Sequence, residues 1–315
     1  MKAAVVTDFA KPPAYAEFED PVAGPGETLV DVSFAALSTL AKSQASGKHY
    51  SSRTTLPLVP GVDGVGRLRD GTRVYFAFAR APYGSMAAKV AVPEAYVAPL
   101  PADLDDAVAA GAANAGMSSF AALKERARFV SGETVLINGA TGVSGRLAIQ
   151  VSRALGAKHV VATGRNERVL AQLGADDVVS LDGERADLTE RFRRVFSERR
   201  VDVVLDYLWG APASALLAAI PGNATEGEPR IRYVQIGASA GLSIDVEAKL
   251  LRSSGLELLG SGLGSVALER LVAVTSEFFA AFVPGGFTFD IDVRPLADIA
   301  TAWHDTSGSR SVFAI

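Results

Sequence analysis

The apolar positions fall into three stretches of different rhythm. Residues 1 to about 100 carry short runs of strand-forming residues, AAVVTDF, TLVDVSFAAL, GTRVYFAF and MAAKVAVP, separated by turn chemistry in PVAGPGE, LPLVPGVDG and RAPYGS. This punctuation predicts an irregular β-rich barrel or sandwich. From about residue 103 helix and strand alternate. LDDAVAAG and a Ser-capped helix SSFAALKERARF lead into the apolar strand ETVLINGA and the helix VSGRLAIQVSRALG, where Val143, Leu147, Val151 and Leu155 share one stripe and Gly156 stands at the C-cap position. Strand HVVATG then precedes helix NERVLAQLG, DDVVSL precedes DLTERFRRVFSERR, VDVVLDYL precedes PASALLAAI, and IRYVQIG precedes VEAKLLRSS and LELLGS. Units of this length with near-continuous apolar strands predict an α/β fold, a doubly wound parallel sheet with helices on both faces. The last stretch, with the helix LERLVAVTSEFFAAF, the strand FTFDIDV, the short helix LADIATAW and the strand SVFAI, is closer in style to the first than to the middle. One domain is therefore expected from residues 1–110 plus 283–315, with residues 111–282 inserted as the second.

The 315 residues suffice for two domains of ordinary size. Apolar residues make up 49% and charged residues 21%, which removes disordered, collagen-like and coiled-coil readings. Lys plus Arg number 31 against 35 Asp plus Glu, and no basic run is interleaved with aromatics, so no nucleic-acid partner is expected. The chain has no cysteine, which excludes disulfides, iron–sulfur clusters, thiolate zinc sites and cysteine nucleophiles together. No segment approaches the ~18 uninterrupted apolar residues of a membrane span, and MKAAVVTDFAKPPAY has no signal-peptide core, so a cytoplasmic protein without a membrane partner is expected.

Chemistry enters at ETVLINGATGVSGRLAIQ. Gly139, Gly142 and Gly145, with Thr141 and Val143 between them, fall where a strand ends and a helix begins, the place where a dinucleotide pyrophosphate meets helix N-terminal amides. The spacing is GxxGxxG, with Ala140 at a position that is glycine in the strict fingerprint. An ordinary glycine-rich turn is the alternative, disfavoured by the strand–helix units that follow. The next strand ends in GRNER. Gly164 stands where an NAD site carries an acid for the ribose hydroxyl, and Arg165, Asn166 and Arg168 follow, of which a guanidinium matches a 2′-phosphate. NADPH is the expected cofactor; the plainer reading is a solvated helix start capped by Asn166. Asp206, Tyr207, Leu208 and Trp209 in VLDYLWG close another parallel strand, where adenine or ribose contact and a packed aromatic corner are both open.

Taken in order, MKAAVV, GETLVDV, GKHY, PLVPGVDGVGRLRDGTRV, YGSMAAKVAVP, GATGVSG, the LGA, GRN and LGAD segments and SVFAI resemble the medium-chain dehydrogenase/reductase superfamily, and within it the zinc-independent quinone oxidoreductase branch, over nearly the whole chain. The resemblance implies a GroES-like domain made from both chain ends, a Rossmann domain between them, a cleft where NADPH meets substrate, and a homodimer joined through edge strands. It also implies that Ile236 and Gly237 in QIGASAG, with Ser261 and Gly262 in LGSGLGS, line the nicotinamide, backbone turns being the alternative. Zinc-dependent members place a His-Glu pair where this chain has Val62 and Asp63, so no metal is expected, and His49, His159 and His304 lie in separate segments. Asp63 is expected to be structural. In the substrate half the chain departs from the family. Ser38, Ala41 and Ala45 stand where many members carry Asn, Asp and Arg, and Tyr50 lies one place later than the usual tyrosine.

Tyr50, Ser38 and Asn114 are the candidate catalytic residues, Tyr50 or Ser38 polarising the acceptor oxygen. The expected activity is metal-free, NADPH-dependent reduction of a quinone or an α,β-unsaturated carbonyl. An enal or enoyl-thioester reductase, and a non-catalytic NADPH-binding sensor or structural protein, are the alternatives.

Overall fold

Strands form in the first hundred residues where apolar side chains face inward between Gly and Pro turns. In the computed structural model, which describes residues 1–52, 55–222, 230–305 and 308–315, these are β1 (Lys2–Val5), β2 (Ala14–Glu17), β3 (Glu27–Ala36), β4 (Asp63–Arg67), β5 (Arg73–Ala77), β6 (Lys89–Pro93) and β7 (Val97–Pro99), with helix α1 (Thr39–Ala45) after β3. Along β3, Val30 and Val32 are buried while Leu29 and Asp31 face out, until a register shift opposite β4 between Val32 and Phe34 interrupts the alternation and turns Ala35 and Ala36 inward. Helix α2 (Asp106–Ala121) follows.

The middle of the chain alternates as its pattern requires: β8 (Thr134–Asn138), α3 (Val143–Ala154), β9 (His159–Gly164), α4 (Glu167–Leu170), β10 (Asp177–Ser180), α5 (Arg185–Glu198), β11 (Val203–Asp206), α6 (Gly210–Ala219), β12 (Ile231–Gln235), α7 (Ala248–Ser253) and β13 (Leu256–Gly260). The chain then ends with α8 (Leu268–Phe282), β14 (Ile291–Pro295), α9 (Ile299–Ala302) and β15 (Arg310–Ala314).

Two compact units result, Met1–Met117 with Ala267–Ile315, and Ser118–Val266. In the first, a seven-stranded sheet has the order β14-β15-β3-β4-β5-β7, with β6 also on β3, and β1 and β2 form a separate antiparallel pair. Because β15 pairs with β3 (Val312 opposite Ala36), the two chain ends share one sheet. In the second, six parallel strands have the order β10-β9-β8-β11-β12-β13. From β8 the chain runs outward to β9 and β10, then returns to β11 on β8's other side, so the carboxyl ends of β8 and β11 flank the topological switch point. Strand β8 is buried throughout, and Leu136, Val161, Phe192 and Tyr233 belong to the core formed there.

Three expectations shift. The boundaries expected at 110/111 and 282/283 lie at 117/118 and 266/267: beyond residue 110, α2 still packs on the first unit, a Cβ on Gly111 standing 3.1 Å from Ile291 and one on Gly116 2.1 Å from Phe278, and α8 packs there too, Phe279 meeting Tyr75 edge-on at 5.4 Å. No helix starts at Ser118. Helix α2 runs through it, and Ser118 bonds the Tyr207 hydroxyl (3.3 Å) instead of capping. The strand expected at FTFDIDV begins only at Ile291, since Phe287 is drawn into an aromatic cluster with Phe278 and Phe282.

Candidate functional site

In the second unit, the carboxyl ends of the parallel strands carry the glycine turn. Gly139 takes a positive φ of 94°, and its amide donates to Thr163 Oγ1 (3.1 Å) while Ala140 N donates to the Thr163 carbonyl (2.7 Å), which ties the turn to β9. Gly145 lies so close under the turn that a Cβ there would stand 2.5 Å from Ala140 Cα. Gly142 caps α3 without a side-chain bond, and nothing lies within 4 Å of where its Cβ would be. Helix α3 therefore begins with first-turn amides that no side chain caps, beside open space, the donor set that an anionic pyrophosphate requires. The turn fits a dinucleotide.

At the end of β9, a Cβ on Gly164 would fall 2.5 Å from Thr141 Cγ2, so an acidic side chain has no room there. Arg165 and Arg168 are exposed. They line, or stand beside, a shallow depression formed by Arg165, Asn166, Glu167 and Asp182. Asn166 is the cap of α4, accepting from Val169 N at 3.1 Å, so its carbonyl oxygen is committed to the helix.

Leu208 packs where a side chain on Gly139 would go, 2.8 Å from that Cβ position. Trp209 turns into the core, its ring edge-on to Tyr233 at 6.3 Å, which accounts for it as packing. Tyr207 is half-buried, and desolvation of its hydroxyl pushes it up to about 12. Ile236 and Gly237 donate their amides to the Asp206 carbonyl (2.8 and 3.0 Å), stitching the loop after β12 to the end of β11. Ser261 N donates to Gln235 O (2.8 Å), and Gly262 N donates to Ser265 Oγ (2.7 Å).

Asp206 does not reach a ribose. It is fully buried, and its carboxylate accepts from Asn138 Nδ2 (2.8 Å), the Tyr233 hydroxyl (2.7 Å), Leu208 N (3.0 Å) and Trp209 N (3.2 Å). Asn138 Oδ1 in turn accepts from Thr163 Oγ1 (2.8 Å), so one buried chain runs from Asp206 to the Gly139 amide. Burial raises the Asp206 carboxyl above its ordinary value despite these donors. Asn138, Thr163 and Tyr233 escaped the sequence reading, although a polar residue within each mainly apolar strand, TVLIN, HVVATG and IRYVQ, was the available signal.

The candidate residues of the first unit are dispersed. Ser38 is buried and caps α1, accepting from Ala41 N at 3.0 Å. Asn114 is half-buried within α2. Tyr50 is 73% exposed and stacks on His49 at 4.1 Å. Asp63 is buried, accepts from the Tyr75 hydroxyl (3.2 Å), and is pushed up to about 6 by burial, against the pull of Tyr75 and of the buried Arg310. A cavity of about 150 Å³ lies in this unit, lined by Gln44, Ser51, Leu58, Val62 and Phe78 among others. Ser38, Tyr50 and Asn114 are not among its lining residues, whereas Gln44 and Ser51, which the sequence reading passed over, are.

The Zinc-binding dehydrogenase family matches residues 144–277. A protein of Emericella nidulans named "Probable NADPH-dependent quinone reductase tdiC" is 30% identical over 99% of this chain and 99% of its own. The 2-methylene-furan-3-one reductase of Solanum lycopersicum is 31% identical over 65% of this chain and 60% of its own. The quinone oxidoreductase of Thermus thermophilus, solved also in complex with NADPH, is similar with a TM-score of 0.79 at 26% identity, covering 100% of both chains. The chain belongs to the medium-chain dehydrogenase/reductase superfamily, in its quinone oxidoreductase-like branch. Although the matching family is named for zinc, among the described residues no group of three or more His, Cys, Asp or Glu side chains could hold a metal ion. Nor is any described helix long and apolar enough to cross a membrane.

Proposed function

We propose that the chain is an NADPH-dependent reductase that passes a hydride to a quinone or an α,β-unsaturated carbonyl without a metal ion. The observation that carries this reading is the uncapped, open start of α3 at Gly142, in a glycine turn at the switch point of a parallel sheet. Bound NADPH supplies the hydride and its two electrons; the chain's part is to hold, orient and keep water away. Gly139, Thr141, Gly142 and Val143 take the pyrophosphate. Arg165 and Arg168 take the 2′-phosphate, a choice supported by the missing space for an acid at Gly164. Leu208, Ile236, Gly237, Ser261 and Gly262 form the rim further along, while Asn166 and Trp209 serve as cap and packing.

The Emericella protein's name carries NADPH and a quinone, the tomato protein's a furanone, and both support the acceptor class. The absence of cysteine, and an Asp63 carboxylate already bonded to Tyr75, support the metal-free chemistry. A cytoplasmic homodimer completes the reading. Strand β13, at the end of the parallel sheet with Leu258 exposed, supports association through edge strands, and light scattering reads it directly.

Fluorescence titration of NADPH and NADH, with Arg165→Ala alongside and a quinone and enone panel on the same samples, tests the function. The expected result is an NADPH preference that drops about tenfold in the variant, with acceptor-dependent oxidation in both. Binding without turnover favours the sensor, and binding of neither nucleotide overturns the reading.

A further inference from the structure

The cavity of the first unit is walled by apolar groups, Leu58, Val62 and Phe78 among them, and among the described residues its polar side chains are Gln44 and Ser51. These two belong to a hydrogen-bonded chain. Gln44 Nε2 donates to Ser51 Oγ (2.9 Å), and Ser51 Oγ lies 2.7 Å from His49 Nδ1. The Ser51 amide donates to the same Nδ1 (3.2 Å), so this nitrogen is an acceptor, and the Ser51 hydroxyl, already accepting from Gln44, donates to it. His49 is held in place from its other sides: its amide donates to Ser52 Oγ (3.0 Å), and the Tyr50 ring stacks on its face. Helix α1 does not need this side-chain chain at its C-terminus, where the Ser46, Gly47 and Lys48 amides already donate to the Lys42, Gln44 and Ser43 carbonyls.

A cavity of about 150 Å³ matches one ring of roughly benzene size, and a fused pair would have to leave its second ring outside. Resting on the reductase reading, we propose that this cavity seats a monocyclic quinone or enone with its carbonyl oxygen against Ser51, whose hydroxyl turns from His49 Nδ1 to that oxygen and gives it the proton that the reduced oxygen takes up, and that His49 is the positioning residue behind it. With an enone, the hydride adds to the carbon β to the carbonyl, the enolate oxygen takes the Ser51 hydroxyl proton, and the enol becomes the ketone in solvent. With a quinone, the hydride and that proton together give the hydroquinone. A solvent proton carried through His49 Nδ1 restores the Ser51 hydroxyl, so each turnover consumes one hydride and one proton. Tyr50, exposed on the far side of the imidazole stack, supports His49 and does not itself meet the acceptor.

The test uses the full chain with NADPH and three acceptors: benzoquinone and cyclohexenone as single rings, phenanthrenequinone as a fused one. The wild type should favour the single rings in kcat/KM. Ser51→Ala should lower kcat roughly a hundredfold while KM and NADPH affinity hold, Ser51→Thr should recover most of the rate by restoring the hydroxyl, and His49→Gln should lower kcat and change the solvent isotope effect. A Ser51→Ala rate within about twofold of wild type, or a threonine variant as impaired as the alanine one, overturns the assignment of the proton donor. Preference for phenanthrenequinone overturns the cavity. A wild type that binds NADPH and reduces none of the three overturns the reductase reading itself, and the two failures are thereby told apart.

Discussion

Replacing Asp63 by Asn should remove a pH dependence that the fold builds into its first unit. The carboxyl is buried, and its pKa rises from 3.8 to about 6 because burial outweighs the Tyr75 hydroxyl and the Arg310 charge. The folded carboxyl thus holds a proton more tightly than the unfolded one, and protonation stabilises the native state. That contribution is fully present below pH 3.8, is lost as pH rises from 3.8 to about 6, and is absent above. At ~1.36 kcal/mol for each tenfold difference in proton affinity, the loss amounts to about 3 kcal/mol. Asparagine is neutral throughout and keeps an oxygen for the Tyr75 hydroxyl, so it lacks the dependence. Urea unfolding of wild type and Asp63→Asn across this range measures it, and the difference between the two cancels the carboxylates they share. The chain has two tryptophans, Trp209 in the second unit and Trp303 in the first, so a Trp209→Phe background lets Trp303 fluorescence follow the unit that contains Asp63. The wild-type advantage should shrink by about 3 kcal/mol on going from acid to neutral pH. A difference constant within about 0.5 kcal/mol refutes the burial argument.

Gly145→Ala puts a Cβ 2.5 Å from Ala140 Cα, and should cost about 1–3 kcal/mol of stability and weaken NADPH in a fluorescence titration; unchanged affinity means that the turn has slack. Asp206→Ala strands the Asn138 amide, the Tyr233 hydroxyl and two backbone amides in the core, so thermal unfolding should show a loss on the order of 4 kcal/mol, and a loss under about 1 kcal/mol contradicts the network. Gly164→Asp alone should lower NADPH affinity without gaining NADH, whereas adding Thr141→Ala removes the clash at 2.5 Å and should gain NADH, both read by comparing the two titrations.

The parallel sheet and the glycine turn were legible along the chain because their causes are local. Strands such as TVLIN are apolar at nearly every position only when both faces are covered, and the turn residues sit within eight positions of one another. The absence of cysteine narrowed the chemistry before any coordinate was known. What sequence order could not show is which distant side chains meet. Asp206 reads as a strand-end acid open to an adenine or ribose contact until β8 and β11 lie side by side and Asn138, Tyr233 and two amides close around it. Asn166 and Ser38 read as ligand groups by type, yet each spends its oxygen on a helix start three residues on. Tyr50 drew attention by its chemistry, whereas the neighbouring Ser51 lines the cavity and is held by Gln44, seven positions earlier. The reason is general: periodicity records which face of an element is buried, but the polar partner that satisfies a buried group, or leaves a hydroxyl free to act, is chosen by how separate elements pack.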